Sequence, residues 1–221
     1  MTQGEETELE AIYEFDYSVL NFIQEHLTGP VPDFFFSLWT HLGDGGIFCI
    51  AATVLLLCFR KTRRTGFTMA VAILLGTLLC NVIIKPAVAR VRPYYNTDYD
   101  PLRTAGQIGE LIKLPADWSF PSGHTAVTVE TAAAVFSRHK KSGIAALAAA
   151  ALVAFSRLYL YVHYFTDVLC GAIIGAGCAV AAYFIVDAAY RAVARRIREK
   201  RAPAASGESG DVGGSGTAGD V

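Results

Sequence analysis

Three long stretches without a charge, residues 66–84, 143–155 and 168–186, constrain this chain more than any other feature. A helix needs about 20 apolar residues to cross a hydrocarbon core about 30 Å thick. One such stretch could be a buried helix of a soluble domain, but several in 221 residues argue for a membrane protein. Charge usage agrees: 18% of the residues are charged, against roughly a quarter in soluble domains. The sequence therefore predicts an all-α integral membrane helical bundle.

Five transmembrane helices are expected, at about 34–59, 66–85, 122–137, 142–160 and 167–190. Before them, residues 12–28 carry Ile12, Phe15, Val19, Leu20, Phe22, Ile23 and Leu27 at near-helical spacing, interrupted by Glu14, Asp16, Gln24 and Glu25. That pattern predicts an amphipathic helix lying in the membrane interface, ended by Gly29 and Pro30. Residues 1–11 are expected to be a flexible acidic N-terminus, 12–201 the membrane domain, and 202–221 a disordered Gly/Ser-rich tail. The acidic start lacks a basic segment followed by an apolar core, so insertion is expected to rest on the spans themselves. The cysteines (Cys49, Cys58, Cys80, Cys170 and Cys178) all fall in apolar stretches without metal-ligand spacing, and are expected to be small buried hydrophobes.

Charge placement predicts orientation. Three basic clusters follow the first, third and fifth spans: Arg60, Lys61, Arg63 and Arg64; Arg138, Lys140 and Lys141; and Arg191, Arg195, Arg196, Arg198, Lys200 and Arg201. All three lie on one side of a five-span layout, which the positive-inside rule assigns to the cytoplasm, together with the C-terminus. The remaining cations, Lys85, Arg90, Arg92, Arg103, Lys113 and Arg157, fall toward the opposite side. A net charge of −1 argues for no nucleic-acid partner.

Those outer residues hold a chemical constellation. Lys85 and Arg92 are seven apart, two turns if helical, so both cations are expected to point the same way. Ser122 precedes Gly123 and His124 at the start of the third span. A Ser N-cap and a glycine that admits close approach make the first-turn N–H groups an anion site. Ser156 and Arg157 end the fourth span, and His163 and Asp167 stand four apart, on one face if the helix continues there. An Asp in that place can hold one imidazole nitrogen and leave the other free to attack. At about 1.5 Å of rise per residue, counting from the basic clusters puts Lys85, His124, Arg157 and Asp167 near the outer membrane surface, the depth of a lipid phosphate.

The three segments, K-x6-RP (Lys85, Arg92, Pro93), PSGH (Pro121 to His124) and SR-x5-H-x3-D (Ser156, Arg157, His163, Asp167), closely resemble the motifs of the type 2 phosphatidic acid phosphatase superfamily. The resemblance covers residues 85–167 without a departure at the named positions. It implies that His163 attacks phosphorus to form a phosphohistidine and that Asp167 orients it. His124 is then the proton donor and later the base, while Lys85, Arg92, Ser122, Gly123 and Arg157 bind the phosphoryl oxygens. It also implies metal independence, and no acidic cluster in the sequence suggests Mg²⁺ or Zn²⁺; no cofactor is expected. The implied substrate is a lipid phosphate or diphosphate facing outside the cytoplasm of a bacterial plasma membrane. The short layout is similar to bacterial carrier-lipid phosphatases, which puts undecaprenyl diphosphate first and phosphatidylglycerophosphate or phosphatidic acid second. A phosphotransferase and a transport or scaffold protein are the rival readings.

Several residues keep blander readings. His41 and Asp44 are read chiefly as capping or kink residues near the outer end of the first span, though both could touch a head group. Glu130, inside the third span, is equally a functional acid or a partner for a neighbouring helix. Asn81 is expected to bond across helices. Trp118, Tyr94 and Tyr95 suit an interfacial belt, and His26 and His139 a solvated surface.

Overall fold

In the computed structural model, residues 3–205 are described, apart from residue 100. The tail beyond 205 lies outside the described residues. Helices α1 (Gln3–Leu27), α2 (Pro30–Thr40), α3 (Ile47–Cys58), α4 (Arg63–Thr77), α5 (Lys85–Val88), α6 (Ala105–Gly109), α7 (Gly123–Arg138), α8 (Lys140–Tyr159) and α9 (Phe165–Ala205) make up the chain, and no strand occurs among the described residues. Met1–Tyr183 forms one compact unit, which holds every site residue discussed below; Phe184–Val221 forms a second. In the second unit Asp187 pairs with Arg191 at 2.8 Å and Glu199 with Arg195 at 2.7 Å, one turn apart along α9.

Three segments are long and apolar enough to cross a membrane: Arg63–Tyr95, Lys140–Tyr159 and Phe165–Lys200. A fourth passage is a bent pair, Pro30–Asp44 with Ile47–Cys58, meeting at 53°. Gly46 makes the corner possible with φ at 67°, the left-handed region open to glycine. The third expected span, α7, has 16 residues, about 24 Å of helix, short of a full hydrocarbon core. It packs between α4 and α8 and buries small and polar residues: Thr125, Ala126, Thr128, Glu130, Ala132 and Ala134. Close packing explains that composition, because lipid gives no hydrophobic drive between helices and approach distance decides. A Cβ at Gly143 would collide with the Phe136 backbone, and one at Gly175 with the Ala126 carbonyl. The outer faces of the spans carry exposed Phe48, Val54, Leu74, Ile173 and Val180, the apolar surface that a bilayer solvates.

α1 reaches back through the acidic segment to Gln3, further than residue 12, where the amphipathic pattern begins. Leu9, Ile12, Phe15 and Phe22 face outward, while Tyr17, Leu20 and Ile23 are buried. The buried stripe packs into a core with Tyr94, Ile108, Tyr159, Tyr161, Val162 and Tyr164. Tyr94 thus belongs to this core, not to an interfacial belt, whereas Tyr95 and Trp118 are exposed. Cys49, Cys80 and Cys178 are buried, Cys170 is intermediate, and Cys58 is exposed at the end of α3.

Between α4 and α5 the chain winds as a π-helix, Leu78–Ile84. On an α-helix, residues four apart drift by about 40° per step. The wider winding counters that drift, and Ile73, Thr77, Asn81 and Lys85 all line one cavity. The helix then stops: Ala89 takes φ 49° and donates to the Lys85 carbonyl at 2.9 Å. Residues 90–92 are non-helical because Pro93 disfavours helix at the residue before it.

Candidate active site

Lys85 and Arg92 do converge, but not by helical periodicity, since the helix between them ends at Val88. A carboxylate joins them. Asp117, in the loop before α7, pairs with Lys85 through one oxygen and with the Arg92 guanidinium through the other, at 2.7 Å. The loop is sewn to the 90–92 segment by Ser119 N–H to the Arg90 carbonyl at 2.8 Å and by Arg92 Nε to the Asp117 carbonyl, also at 2.8 Å. Burial raises the Asp117 carboxyl, but Lys85 and Arg92 outweigh it and hold its pKa at about 2. An anion therefore already sits on the two cations.

Arg92 also reaches His163. Its Nη1 donates to the Val162 carbonyl at 2.7 Å and lies 3.2 Å from His163 Nε2. A guanidinium cannot accept a proton, so Nε2 carries the lone pair and Nδ1 the hydrogen. Nδ1 faces the Ser119 hydroxyl and Asp167 Oδ2, each at 3.5 Å. Burial first, then Arg92, Arg157 and Lys85, push the His163 imidazole well below its ordinary pKa. It is a neutral base enclosed by cations.

The His163–Asp167 pairing arises at a helix start rather than along a helix face. His163 lies in the turn after α8, where Tyr161 takes φ 60°, and α9 begins at Phe165. Asp167 occupies the third position of α9, and its Oδ2 accepts the Tyr164 N–H at 3.0 Å. This is the return half of a capping box. The same oxygen accepts from the Ser119 hydroxyl, and the Asp167 backbone carbonyl accepts the Ser122 N–H at 3.0 Å.

Ser122 stands at the N-cap of α7, yet its side chain does not cap; its hydroxyl accepts from Thr125 at 3.0 Å. Gly123 does admit close neighbours: a Cβ there would lie 3.3 Å from Asn81 Oδ1 and 3.8 Å from Lys85 Nζ. His124 Nε2 bonds Asp44 Oδ1 at 2.8 Å, and Asp44 also holds His41. A Cβ on Gly43 would come within 2.7 Å of the His124 ring, so the turn that delivers Asp44 needs glycine there. Arg157 is buried and donates from Nη1 to Thr40, while its Nε has no hydrogen-bond partner among the described residues. Such a donor is costly to bury unless something binds it.

Lys85, Asn81, Asp117, Gly123 and His124 line a cavity of about 320 Å³ whose other wall is Ile50, Ile73 and Val127. Arg92, His163, Ser122 and Arg157 are not on its lining; Arg92 meets it through Asp117, and His163 lies behind Arg92. Lys85 and Ile73 are twelve residues apart, about 18 Å along the helix, so the cavity is cationic at one end and apolar at the other. Glu130 stands apart, pressed on Gly76 of α4. Among the described residues, no group of three His, Cys, Asp or Glu is placed to hold a metal ion.

Sequence reasoning passed over Asp117 and Ser119, counted Arg90 only among the outer cations, and read Asp44 chiefly as a cap. Three of the four sit in or beside the 86–121 connection. A charged residue in an otherwise uncharged approach to PSGH was the available signal for Asp117.

A family model described as the PAP2 superfamily matches residues 64–191. The undecaprenyl-diphosphatase of Sulfolobus acidocaldarius is 34% identical over 128 residues, 57% of this chain and 57% of that protein. The chain spans between about half and two thirds of the length of the curated relatives it matches. Among solved structures, LpxE of Aquifex aeolicus has a TM-score of 0.61 at 28% identity, covering 78% of this chain and 94% of that one. A transmembrane PAP2 type phosphatidylglycerolphosphate phosphatase of Bacillus subtilis has a TM-score of 0.59 at 27% identity, covering 83% and 88%.

Proposed function

The chain belongs to the PAP2 superfamily, and from that premise we propose that it is a membrane phosphatase that hydrolyses a lipid phosphate or diphosphate through a phosphohistidine. The observation that carries this is the contact between the His163 lone pair and Arg92, whose guanidinium, with Lys85, already holds an anion. A phosphoryl group in place of the Asp117 carboxylate would share with Nε2 the same Arg92 guanidinium.

In the first step His163 Nε2 attacks phosphorus, the N–P bond forms and the bond to the lipid-side oxygen breaks. His124 gives that oxygen a proton. Asp167, whose Oδ2 lies 3.5 Å from Nδ1, stabilises the positive ring that results. In the second step His124 takes a proton from water, whose oxygen attacks phosphorus; the N–P bond breaks and inorganic phosphate leaves. Lys85, Arg92, Arg157, the Ser122 hydroxyl and the Gly123 N–H bear the charge spread over the phosphoryl oxygens. The Ser122 hydroxyl accepts from Thr125, which leaves its own O–H to donate to a phosphoryl oxygen.

The cavity's two ends suit an amphiphile: phosphate at Lys85, hydrocarbon along Ile50, Ile73 and Val127. Undecaprenyl diphosphate is the first substrate on the likeness to the Sulfolobus protein; phosphatidylglycerophosphate is the second on the Bacillus structure. The basic clusters support, by the positive-inside rule, a cytoplasmic C-terminus and a site that faces outside the cytoplasm, in what the reading takes to be a bacterial plasma membrane.

The test is phosphate release by purified full-length protein in detergent, with EDTA, from undecaprenyl diphosphate, phosphatidylglycerophosphate and phosphatidic acid. Release without a lipid acceptor, lost in His163→Ala, is the expected result. Wild-type turnover in His163→Ala overturns the nucleophile, and turnover that needs an acceptor makes the protein a phosphotransferase.

A further inference from the structure

Arg90 serves none of the roles above, yet its side chain is 9% exposed and saturated with partners. Nη1 donates to Asp167 Oδ1 and to the Thr166 hydroxyl, both at 2.7 Å, and Nη2 donates to Asp16 Oδ2 at 2.7 Å. The guanidinium is stacked against two rings, 3.9 Å from the Tyr164 centroid and 4.6 Å from that of Tyr13. Asp16, on α1, is fully buried. It accepts the Thr166 N–H at 2.9 Å and the Thr166 hydroxyl at 2.6 Å, so a distant helix caps the first turn of α9.

The chemistry of this arrangement concerns Asp167. A carboxylate free to rotate would present either oxygen to His163. With Oδ1 taken by Arg90, Oδ2 is turned to the Ser119 hydroxyl, the Tyr164 N–H and His163. A lone arginine would also neutralise Asp167 and weaken its hold on the imidazolium that forms during attack. Asp16 supplies a second carboxylate to the same guanidinium, so the group of three keeps one net negative charge. We propose that Arg90 and Asp16 are positioning residues of the nucleophile, which makes the N-terminal helix α1 part of the catalytic apparatus. This rests on the reading of His163 as nucleophile and Asp167 as its orienting acid.

The experiment is a double-mutant cycle in the full-length protein, with radiolabelled lipid to follow residual rates, on whichever of the three lipids is turned over fastest. Asp16→Asn is expected to lower kcat about tenfold, the span of one weakened charge-assisted contact, with KM changed less than twofold. In an Asp167→Asn background the same substitution is expected to change kcat less than twofold, because its effect runs through Asp167. Arg90→Lys, whose single ammonium cannot fork between two carboxylates, is expected to behave alike. Thr166→Val cuts one link without changing charge, and keeps the test open if Asp16→Asn fails to fold; its expected loss is smaller but must vanish in the same background. Unchanged kcat in Asp16→Asn, a loss carried by KM, or a loss undiminished in the Asp167→Asn background overturns the proposal. Activity surviving in His163→Ala would instead overturn the nucleophile on which it rests, so the two failures are distinguishable.

Discussion

The two histidines each face an aspartate, yet their surroundings are opposite. His163 is 1% exposed, has its lone pair against Arg92 and its N–H toward Asp167, and sits in a turn locked between two helices. His124 is 22% exposed, forms a wall of the cavity, and meets an aspartate that is itself 47% exposed. The contrast matches two kinds of work. A nucleophile gains from being dry and fixed, because attack needs one orientation and no competing water. A group that gives a proton to a departing oxygen and then takes one from water must be reachable by water.

Removing the rings tests that contrast most directly. His163→Ala is expected to lower kcat by at least about 10⁴-fold, as loss of a nucleophile does. His124→Ala is expected to cost about 10²–10⁴-fold, the range for general acid–base catalysis. The sharper difference is in leaving-group dependence. With an aryl phosphate such as p-nitrophenyl phosphate, whose leaving oxygen needs no proton, much of the His124→Ala loss should disappear from the pre-steady-state release of p-nitrophenolate, which reads the first step alone, and none of the His163→Ala loss. Equal rescue of both variants would erase the distinction.

The carboxylate beside His124 gives a smaller effect of the same kind. Asp44→Asn keeps the shape but removes the charge that holds His124 Nε2. About a tenfold fall in kcat is expected for a lipid leaving group, and less for the aryl phosphate. Equal loss on both substrates would make Asp44 a structural residue only.

Asp117 links the dry and open halves, since it lines the cavity and grips Arg92. On the proposed function it would compete with phosphate for Lys85 and Arg92. At 54% exposure its pairs are partly screened by water; two such pairs are worth about 1 kcal/mol together. Asp117→Asn should therefore tighten inhibition by inorganic phosphate about fivefold. Weaker inhibition would mean that Asp117 helps to build the anion site instead of occupying it.

The sequence made the cations, PSGH, His163 and Asp167 legible because each lies in a short local pattern. It made the apolar passages legible because lipid imposes a length on a helix. It did not show how Lys85 and Arg92 meet. Their helical alignment fails at Ala89, and a loop carboxylate 32 residues beyond Lys85 does the joining. Asp16 and Asp44 escaped for the same reason: each acts on a residue 74 or more positions away. Periodicity carries no information about such pairs. Asp16 looked like an interruption of an amphipathic face, whereas it is buried against Arg90 and the start of α9. Only the closing of the bundle gives it a partner.

The smallest expected effect is on stability, and it probes the dryness of His163 without reference to catalysis. Burial, and then Arg92, Arg157, Lys85 and His124, hold the folded imidazole neutral well below its ordinary pKa of 6.5. In the unfolded chain His163 takes up a proton as the pH falls through about 6.5. The unfolded state then binds more protons than the folded one, and stability falls with pH by up to about 1.4 kcal/mol per unit from this residue. Asp117 adds nothing in that window, since its loss comes only as pH falls from 3.8 toward about 2. Between pH 6.5 and 5.5, His163→Asn should therefore lose less melting temperature in detergent than the wild type, by about 2–4 °C for a chain of this size. Parallel declines in the two proteins would mean that His163 protonates in place, and that the seal around the nucleophile is not there.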